Sequence, residues 1–240
     1  MFVSFQKVTL FTIPFAGGSS FSYNRFHPHY PDVLDVRHLE LPGRGTRHFE
    51  PLINTIDSLV DDMYELIKNQ LDGPYIVFGH SMGSIIAYLL VRKIVDNRKR
   101  MPLHLFVSGR KAPCVADIQY ADQFSDADLK QLIVENGGTS REITESKEAM
   151  DFFLPILRSD LQVLDSFQYK KLPVIDVPIT VLMGSGDKFS KEEAMLWQQE
   201  TRHEVDLKIF PGGHFFIFDH CKEIMEIISG VALPHHIVVL

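Results

Sequence analysis

The sequence predicts an α/β fold, with a mostly parallel central sheet flanked by helices and one helical insertion. Three observations predict it. Short apolar runs alternate with amphipathic stretches along much of the 240 residues, the rhythm of strands and crossover helices. Most of these runs are continuously apolar, as strands buried on both faces of a parallel sheet are. From about residue 112 to 172 the strands stop and the pattern is helical throughout.

Taken in order, the strand candidates are Val8 to Ile13, Val33 to Leu41, Tyr75 to Phe78, Leu103 to Ser108 and Ile179 to Met183, with a sixth at Val205 to Phe210. Between the second and third, Ile56, Leu59, Val60, Met63, Leu66, Ile67 and Leu71 share one helical face, and Gly73-Pro74 closes that helix. Ser84 to Val95 reads as a second helix, with the cationic cluster Arg98-Lys99-Arg100 beyond its C-terminus. In the insertion, Ser125 with Asp128 resembles a capping box, and Gly137-Gly138 breaks the helix that follows. A second helix carries Phe152, Phe153, Leu154, Ile156 and Leu157, then Leu161, Leu164 and Phe167. The insertion is too long for a plain crossover and reads as a lid. The chain is therefore expected to form one domain, 1–240, with a lid at about 112–172.

Composition excludes several classes of function. The chain has 31 acidic and 24 basic residues, a formal charge of −7, and a pI near 5.9. That balance argues against nonspecific nucleic-acid binding. Two cysteines, Cys114 and Cys221, stand far apart in no metal-ligand spacing. The apolar N-terminus is broken by Gln6 and Lys7 and lacks the positive start of a signal peptide. No stretch approaches the roughly 20 apolar residues of a membrane span. The expectation is a cytoplasmic protein, a monomer, with no metal or other cofactor.

Gly79-His80-Ser81-Met82-Gly83 satisfies Gly-x-Ser-x-Gly. It directly follows the apolar strand ending at Phe78 and directly precedes a helix. In a nucleophile elbow the chain turns so sharply there that the serine is strained and bulky neighbours would clash. The hydroxyl then stands at a helix N-terminus, where developing negative charge is favoured.

A serine needs a histidine base and a carboxylate that orients it, following in the chain order serine, acid, histidine. Of eleven histidines, only His203, His214, His220, His235 and His236 follow both Ser81 and the later strands. His214, in the Pro211-Gly212-Gly213 turn after the last strand, lies at the C-terminal edge where an open α/β sheet holds its site. His203 precedes that strand at its other end, and His220 reads as part of the following helix. Asp187 follows Gly184-Ser185-Gly186 at the same edge. Asp160, Asp165 and Asp176 belong to the lid or its exit, Asp206 lies in a strand, and Asp96 lies at the far end of a helix. Ser81, Asp187 and His214 are the predicted catalytic residues.

An oxyanion hole needs two backbone N–H groups. One is expected from Met82, after the nucleophile, and the other from the loop Pro14-Phe15-Ala16-Gly17-Gly18 after the first strand. Either Ala16 or Phe15 supplies the second; a plain Gly-Gly turn is the alternative. The loop contains neither Gly-x-Gly-x-x-Gly nor a P-loop lysine.

Together these residues resemble the stand-alone type II thioesterases of nonribosomal peptide and polyketide synthases, members of the α/β-hydrolase superfamily. The resemblance rests on the Pro14 to Gly18 loop, Leu41-Pro42-Gly43-Arg44-Gly45 and the elbow. It also covers Phe152-Phe153-Leu154-Pro155 with Leu157-Arg158-Ser159-Asp160, Gly186-Asp187 and Gly212-Gly213-His214. Ser84 stands where many such proteins have alanine. The resemblance implies hydrolysis of acyl thioesters on the phosphopantetheine arm of carrier proteins, for editing or for release, with the lid covering the acyl chain. Of the basic groups that a carrier protein would meet, Arg92-Lys93 with Arg98-Lys99-Arg100 reads first as a solvated helix end, and Arg44, Arg47 and His48 as a weaker second docking edge. The rival readings are a carboxylesterase or lipase for small esters and a noncatalytic module that binds carrier proteins.

Overall fold

A computed structural model describes residues 4–115, 124–136, 144–235 and 238–239. Six parallel strands form the central sheet: β2 (Val8–Ile13), β3 (Leu34–His38), β4 (Tyr75–His80), β5 (His104–Ser108), β6 (Ile179–Gly184) and β7 (Asp206–Phe210), in the order β3-β2-β4-β5-β6-β7. A small antiparallel pair, β1 (Ser4–Phe5) with β8 (Val238–Val239), stands apart from it. The chain runs outward from β2 to β3, then returns to lay β4 against the other side of β2. That reversal is the topological switch point, and the crevice beyond the strand ends there is where such sheets bind ligands.

The continuous apolar runs are explained by burial on both faces. Phe11, Ile13, Val77, Leu105, Val107 and Val181 join one core with the helices α1 (Ile56–Ile67) and α2 (Met82–Asp96) and with Trp197. Their neighbours Leu10, Ile76, Phe78, Phe106 and Leu182 face the opposite core, against the 3-10 helix Ser20–His29 and the C-terminal helix. Successive strand residues point to opposite faces, so each face requires its own apolar set. Helix α2 is buried on nearly every side, which is why its sequence shows no clear polar stripe.

The insertion contains α3 (Asp126–Asn136) and α4 (Lys147–Ser166). Leu129, Ile133, Met150, Leu154, Leu157 and Leu161 form a separate apolar cluster between them, and Ala16 packs against it. Beyond Pro155, α4 is fixed to the body: Val163 lies in the main core, Ser159 donates to the Ile53 carbonyl at 3.0 Å, and Ser166 Oγ accepts from Ile56 N at 2.8 Å. The predicted Gly137-Gly138 break lies outside the described residues.

Three sequence expectations need adjustment. The second strand ends at His38 rather than Leu41. Leu39 and Leu41 are buried in the core from a loop, so they read as strand without extending the ladder. One helix after β6 was not anticipated: α5 (Lys191–Met195), opened by a Ser190–Glu193 capping box. The helix expected after the last strand is α6 (Cys221–Ala232). His220 is the N-cap residue of α6 rather than an interior position. Both cysteines are free. Among the described residues no helix is long and apolar enough to cross a membrane.

Candidate active site

At the switch point β4 turns directly into α2 through Ser81, whose φ of 55° and ψ of −118° lie where side chains are rarely found. Close approach makes the flanking glycines necessary. A Cβ on Gly79 would collide with the Gly83 backbone, and one on Gly83 would collide with the carbonyls of Ile13 and Pro14. The latter contact presses the start of α2 against the end of β2, next to the Phe15 to Gly18 loop.

The elbow is braced from β5. Ser81 N donates to the Ser108 carbonyl at 2.7 Å. Ser84, one turn into α2, is buried, and its hydroxyl lies 2.9 Å from the carbonyl oxygens of Gly79 and Ser108 while accepting from Ser108 N at 3.0 Å. An alanine there would lose these links between the elbow and the end of β5.

Three sequence-predicted residues meet in one line. His214 Nε2 lies 3.0 Å from Ser81 Oγ, and His214 Nδ1 lies 2.8 Å from Asp187 Oδ1. The other carboxylate oxygen, Oδ2, accepts from Gly184 N at 2.9 Å. The loops carrying these residues are joined by Ser185 N to Phe210 O and Gly186 N to Gly212 O, each 2.8 Å. With Nδ1–H given to the carboxylate, Nε2 is the acceptor facing the serine hydroxyl. The Asp187 side chain is 1% exposed and that of His214 is 26% exposed, so the carboxylate is shielded while the imidazole is partly open.

His80 lies behind the base. It is fully buried, its Nδ1 is 2.9 Å from Ser108 Oγ, and its ring is 5.0 Å from that of His214. Burial pushes its pKa well below the usual histidine range, and the adjacent His214 pushes the same way. His80 is therefore neutral at pH 7 and places no positive charge beside His214. Phe15 packs edge-on against His80 and Phe215, closing an aromatic wall around the imidazole.

The loop after β2 is a tight turn. Gly18 N donates to Phe15 O at 2.8 Å, and Gly17, at φ 77°, takes the conformation that the third position of a type II turn requires. Gly17 N donates to Asp160 Oδ2 at 2.6 Å. No hydrogen bond of the Phe15 or Ala16 N–H groups occurs among the described residues. Met82, the first residue of α2, has an N–H without an intrahelical acceptor.

The other sequence candidates lie elsewhere. His203 pairs with Asp176 at 2.9 Å, His220 Nε2 lies 3.0 Å from the Pro211 carbonyl, Lys208 pairs with Asp206, and Asp96 ends α2. His235 lies in a terminal 3-10 turn, and His236 is outside the described residues. The docking edges need correction. Arg44 is buried and paired with Asp160, Arg47 is held by Asp62 and Glu50, and Arg92 is buried with Nη1 on the Pro173 carbonyl at 2.5 Å. Long cationic side chains read as surface in a sequence, but here they are held by partners within the chain, although the buried Arg92 Nε has no hydrogen-bond partner among the described residues. Sequence reasoning also missed Glu40, whose carboxylate accepts from Ser20 N at 3.0 Å and Ser20 Oγ at 2.6 Å and so holds the far end of the loop after β2. Nothing in its local pattern announces that contact.

Comparison with known proteins gives the same grouping. A family model described as a thioesterase domain matches residues 8–231. The gramicidin S biosynthesis protein GrsT of Aneurinibacillus migulanus is 32% identical over 93% of this chain and 88% of its own length. The medium-chain S-acyl fatty acid synthase thioesterase of Homo sapiens is 33% identical over 89% of this chain and 82% of its own. The crystal structure of ClbQ, from the colibactin NRPS/PKS pathway, superimposes with a TM-score of 0.88 at 30% identity, covering 95% of this chain and 98% of that one. By its matched length, its fold and these likenesses, the chain belongs to the thioesterase domain family, enzymes that hydrolyse thioesters, among relatives of nonribosomal peptide and polyketide biosynthesis.

Proposed function

We propose that the protein hydrolyses acyl thioesters carried on the phosphopantetheine arm of carrier proteins, through Ser81, His214 and Asp187 and an acyl-serine intermediate. The observation that carries this reading is the continuous hydrogen-bonded line from Asp187 through His214 to Ser81 at the switch point of the sheet. Ser81 Oγ attacks the thioester carbonyl as His214 Nε2 takes its proton. The oxyanion forms beside Met82 N–H and the N–H of Ala16 or Phe15, which are fixed before charge develops. Collapse breaks the C–S bond and expels the thiol, with the proton supplied by His214. Water then attacks the acyl-serine with His214 as base, releasing the acid and the free serine. The chemistry uses side chains and backbone amides of this chain and asks for no cofactor beyond the arm that delivers the substrate.

The lid supports an acyl rather than a purely polar substrate. Phe153 stands against Gly17 of the oxyanion loop, and Ala16 packs on the lid cluster. An acyl chain leaving the carbonyl toward the lid meets apolar side chains there. A charge of −7 gives no long-range attraction to an acidic carrier protein. Arg98-Lys99-Arg100, though exposed, lie at the far end of α2, about 22 Å along the helix from Ser81, so they do not surround the entrance.

The test is turnover of acylated carrier protein against a simple aryl ester, together with fluorophosphonate labelling of the wild type and Ser81→Ala. Carrier-protein turnover and labelling that both vanish with Ser81→Ala are expected. Ester turnover without carrier-protein activity would favour a carboxylesterase. Folded wild-type protein that resists labelling would favour a binding module.

A further inference from the structure

The lid helix reaches the oxyanion turn through buried charge. Asp160 on α4 is fully buried. Its carboxylate accepts from Arg44 Nη1 at 2.5 Å, from Arg44 Nη2 at 2.7 Å and from the Gly17 backbone N–H at 2.6 Å. Arg44, 4% exposed, also donates from Nη1 to the Gly18 carbonyl at 3.3 Å. One ion pair thus grips both glycines of the turn.

Stability does not account for this placement. Taking two charges out of water costs several kcal/mol per ion, and an apolar pair of similar volume is often as stable or more so. What an apolar pair does not do is distinguish the two ends of a peptide group. An ionised carboxylate only accepts hydrogen bonds. It therefore holds the Ala16–Gly17 peptide with its N–H toward α4, and the flipped peptide would set the Ala16 carbonyl oxygen against the carboxylate. That same flip separates a type II turn from the commoner type I, and glycine, having no Cβ, offers little resistance to it. The Ala16 N–H itself belongs to the neighbouring Phe15–Ala16 peptide, whose carbonyl accepts from Gly18 N at 2.8 Å. By holding Gly17 N and Gly18 O the pair keeps the turn in the form that closes this bond, and the N–H groups left over in it are those of Phe15 and Ala16.

We propose that Arg44 and Asp160 are positioning residues for catalysis: the pair selects the peptide orientation of the oxyanion turn, so that the anchored half of the lid helix forms part of the machinery for stabilising the transition state. This rests on the thioesterase reading above. Neither residue touches the reacting atoms. Their effect is to reach kcat and the affinity for tetrahedral adducts, leaving ground-state binding nearly unchanged.

The experiment compares wild type with the double variant Arg44→Met/Asp160→Leu and with Arg44→Lys. Four quantities are measured: kcat and KM on a short-chain acyl thioester of N-acetylcysteamine, inhibition by an alkyl boronic acid, and melting temperature. The double variant keeps the volume and removes the selector. It is expected to fold, to keep KM within about threefold, and to lose about 10²-fold in kcat and similarly in boronic acid affinity, the scale of one misplaced oxyanion donor. Arg44→Lys, which keeps the charge but not the fork, should lose kcat less severely with KM again steady. A folded double variant with wild-type kcat would overturn the proposal. If the double variant does not fold, an Arg44→Lys enzyme with unchanged kcat and boronic acid affinity would do the same. An active wild type beside an unaffected variant refutes the positioning role alone, whereas a wild type with no thioester turnover removes the thioesterase reading and this proposal with it.

Discussion

The two walls of the cleft are built on different physics. On the sheet side, Ser81, Asp187 and His214 come from three distant segments, and each stands just beyond the end of a strand held by a parallel ladder. Short polar contacts and an aromatic wall fix them. On the lid side, α3 and the first half of α4 rest on a small apolar cluster of their own, with Phe152 61% exposed on its outer surface. Proton transfer tolerates little displacement, and strand ends supply that precision. Covering an acyl chain, the role proposed for the lid, would tolerate more, and a satellite cluster would suffice. The Arg44–Asp160 pair is where the two walls meet.

The sharpest way to break this division is to damage the sheet side while leaving its shape intact. Asp187→Asn keeps the side-chain volume but no longer holds the imidazole with Nδ1 protonated. Turnover is expected to fall by about 10³ to 10⁴-fold, with the melting temperature nearly unchanged. Steady-state kinetics on a short acyl thioester checks it. Turnover near the wild-type level would show that the line of hydrogen bonds is not the catalytic device.

The same division explains what was legible in the sequence. The candidate catalytic residues on strand ends announce themselves, because the strand, the glycines and the position after the strand are all local signals. Gly-His-Ser-Met-Gly is the clearest, and Asp187 and His214 follow from loops at the same edge of the sheet. The sheet itself was readable because burial on both faces demands uninterrupted apolar runs. Residues whose roles depend on partners far along the chain were not readable. Asp160 was assigned to the lid, and Arg44 to a surface edge, because nothing in either neighbourhood reveals a contact across 116 positions. Ser84 looked like a neutral departure from alanine, since its bridge to β5 exists only in three dimensions. Helix α5 was missed because it is only five residues long.

A second comparison sets one leucine from each side against the other. Leu90 on α2 is fully buried in the main core, and Leu154 on α4, 6% exposed, belongs to the lid cluster. Truncating either to alanine removes the same atoms and should cost about 2–5 kcal/mol where the leucine packs. For Leu90→Ala the loss is expected in global unfolding, as a lower urea midpoint. For Leu154→Ala it should appear as faster limited proteolysis within residues 124–157, with a nearly unchanged midpoint and short-chain turnover within a few fold. Equal losses of midpoint in the two variants would mean that lid and body unfold as one unit, and the contrast between the walls would then be one of shape alone.

The smallest expected effect is one of acid, and it separates the walls by composition. Residues 112–172 contain no histidine, whereas the sheet side buries His80 and half-buries His38 and His104. His104, 2.8 Å from Thr180 Oγ1, has its pKa lowered to about 4, chiefly by burial, with His203 adding to the shift and Asp206 opposing it. His38, between Thr12 and Tyr30, is likewise lowered to about 4 by burial, with His27 adding to it. Each pKa lies below that of an unfolded histidine, about 6.5, so between pH 4 and 6.5 the unfolded chain binds more protons. Stability is therefore full above about pH 6.5 and is lost as pH falls toward 4, at up to about 1.4 kcal/mol per pH unit for each such histidine. His104→Gln, which retains a hydrogen-bonding side chain, should reduce the slope of unfolding free energy between pH 6.5 and 4.5 by about that amount. Urea titrations across this range measure the slope. Proteolysis of the lid should remain independent of pH over the same interval, because no imidazole there gains charge. A slope unchanged by His104→Gln, or a lid that opens as the histidines titrate, would place the acid sensitivity on the wrong wall.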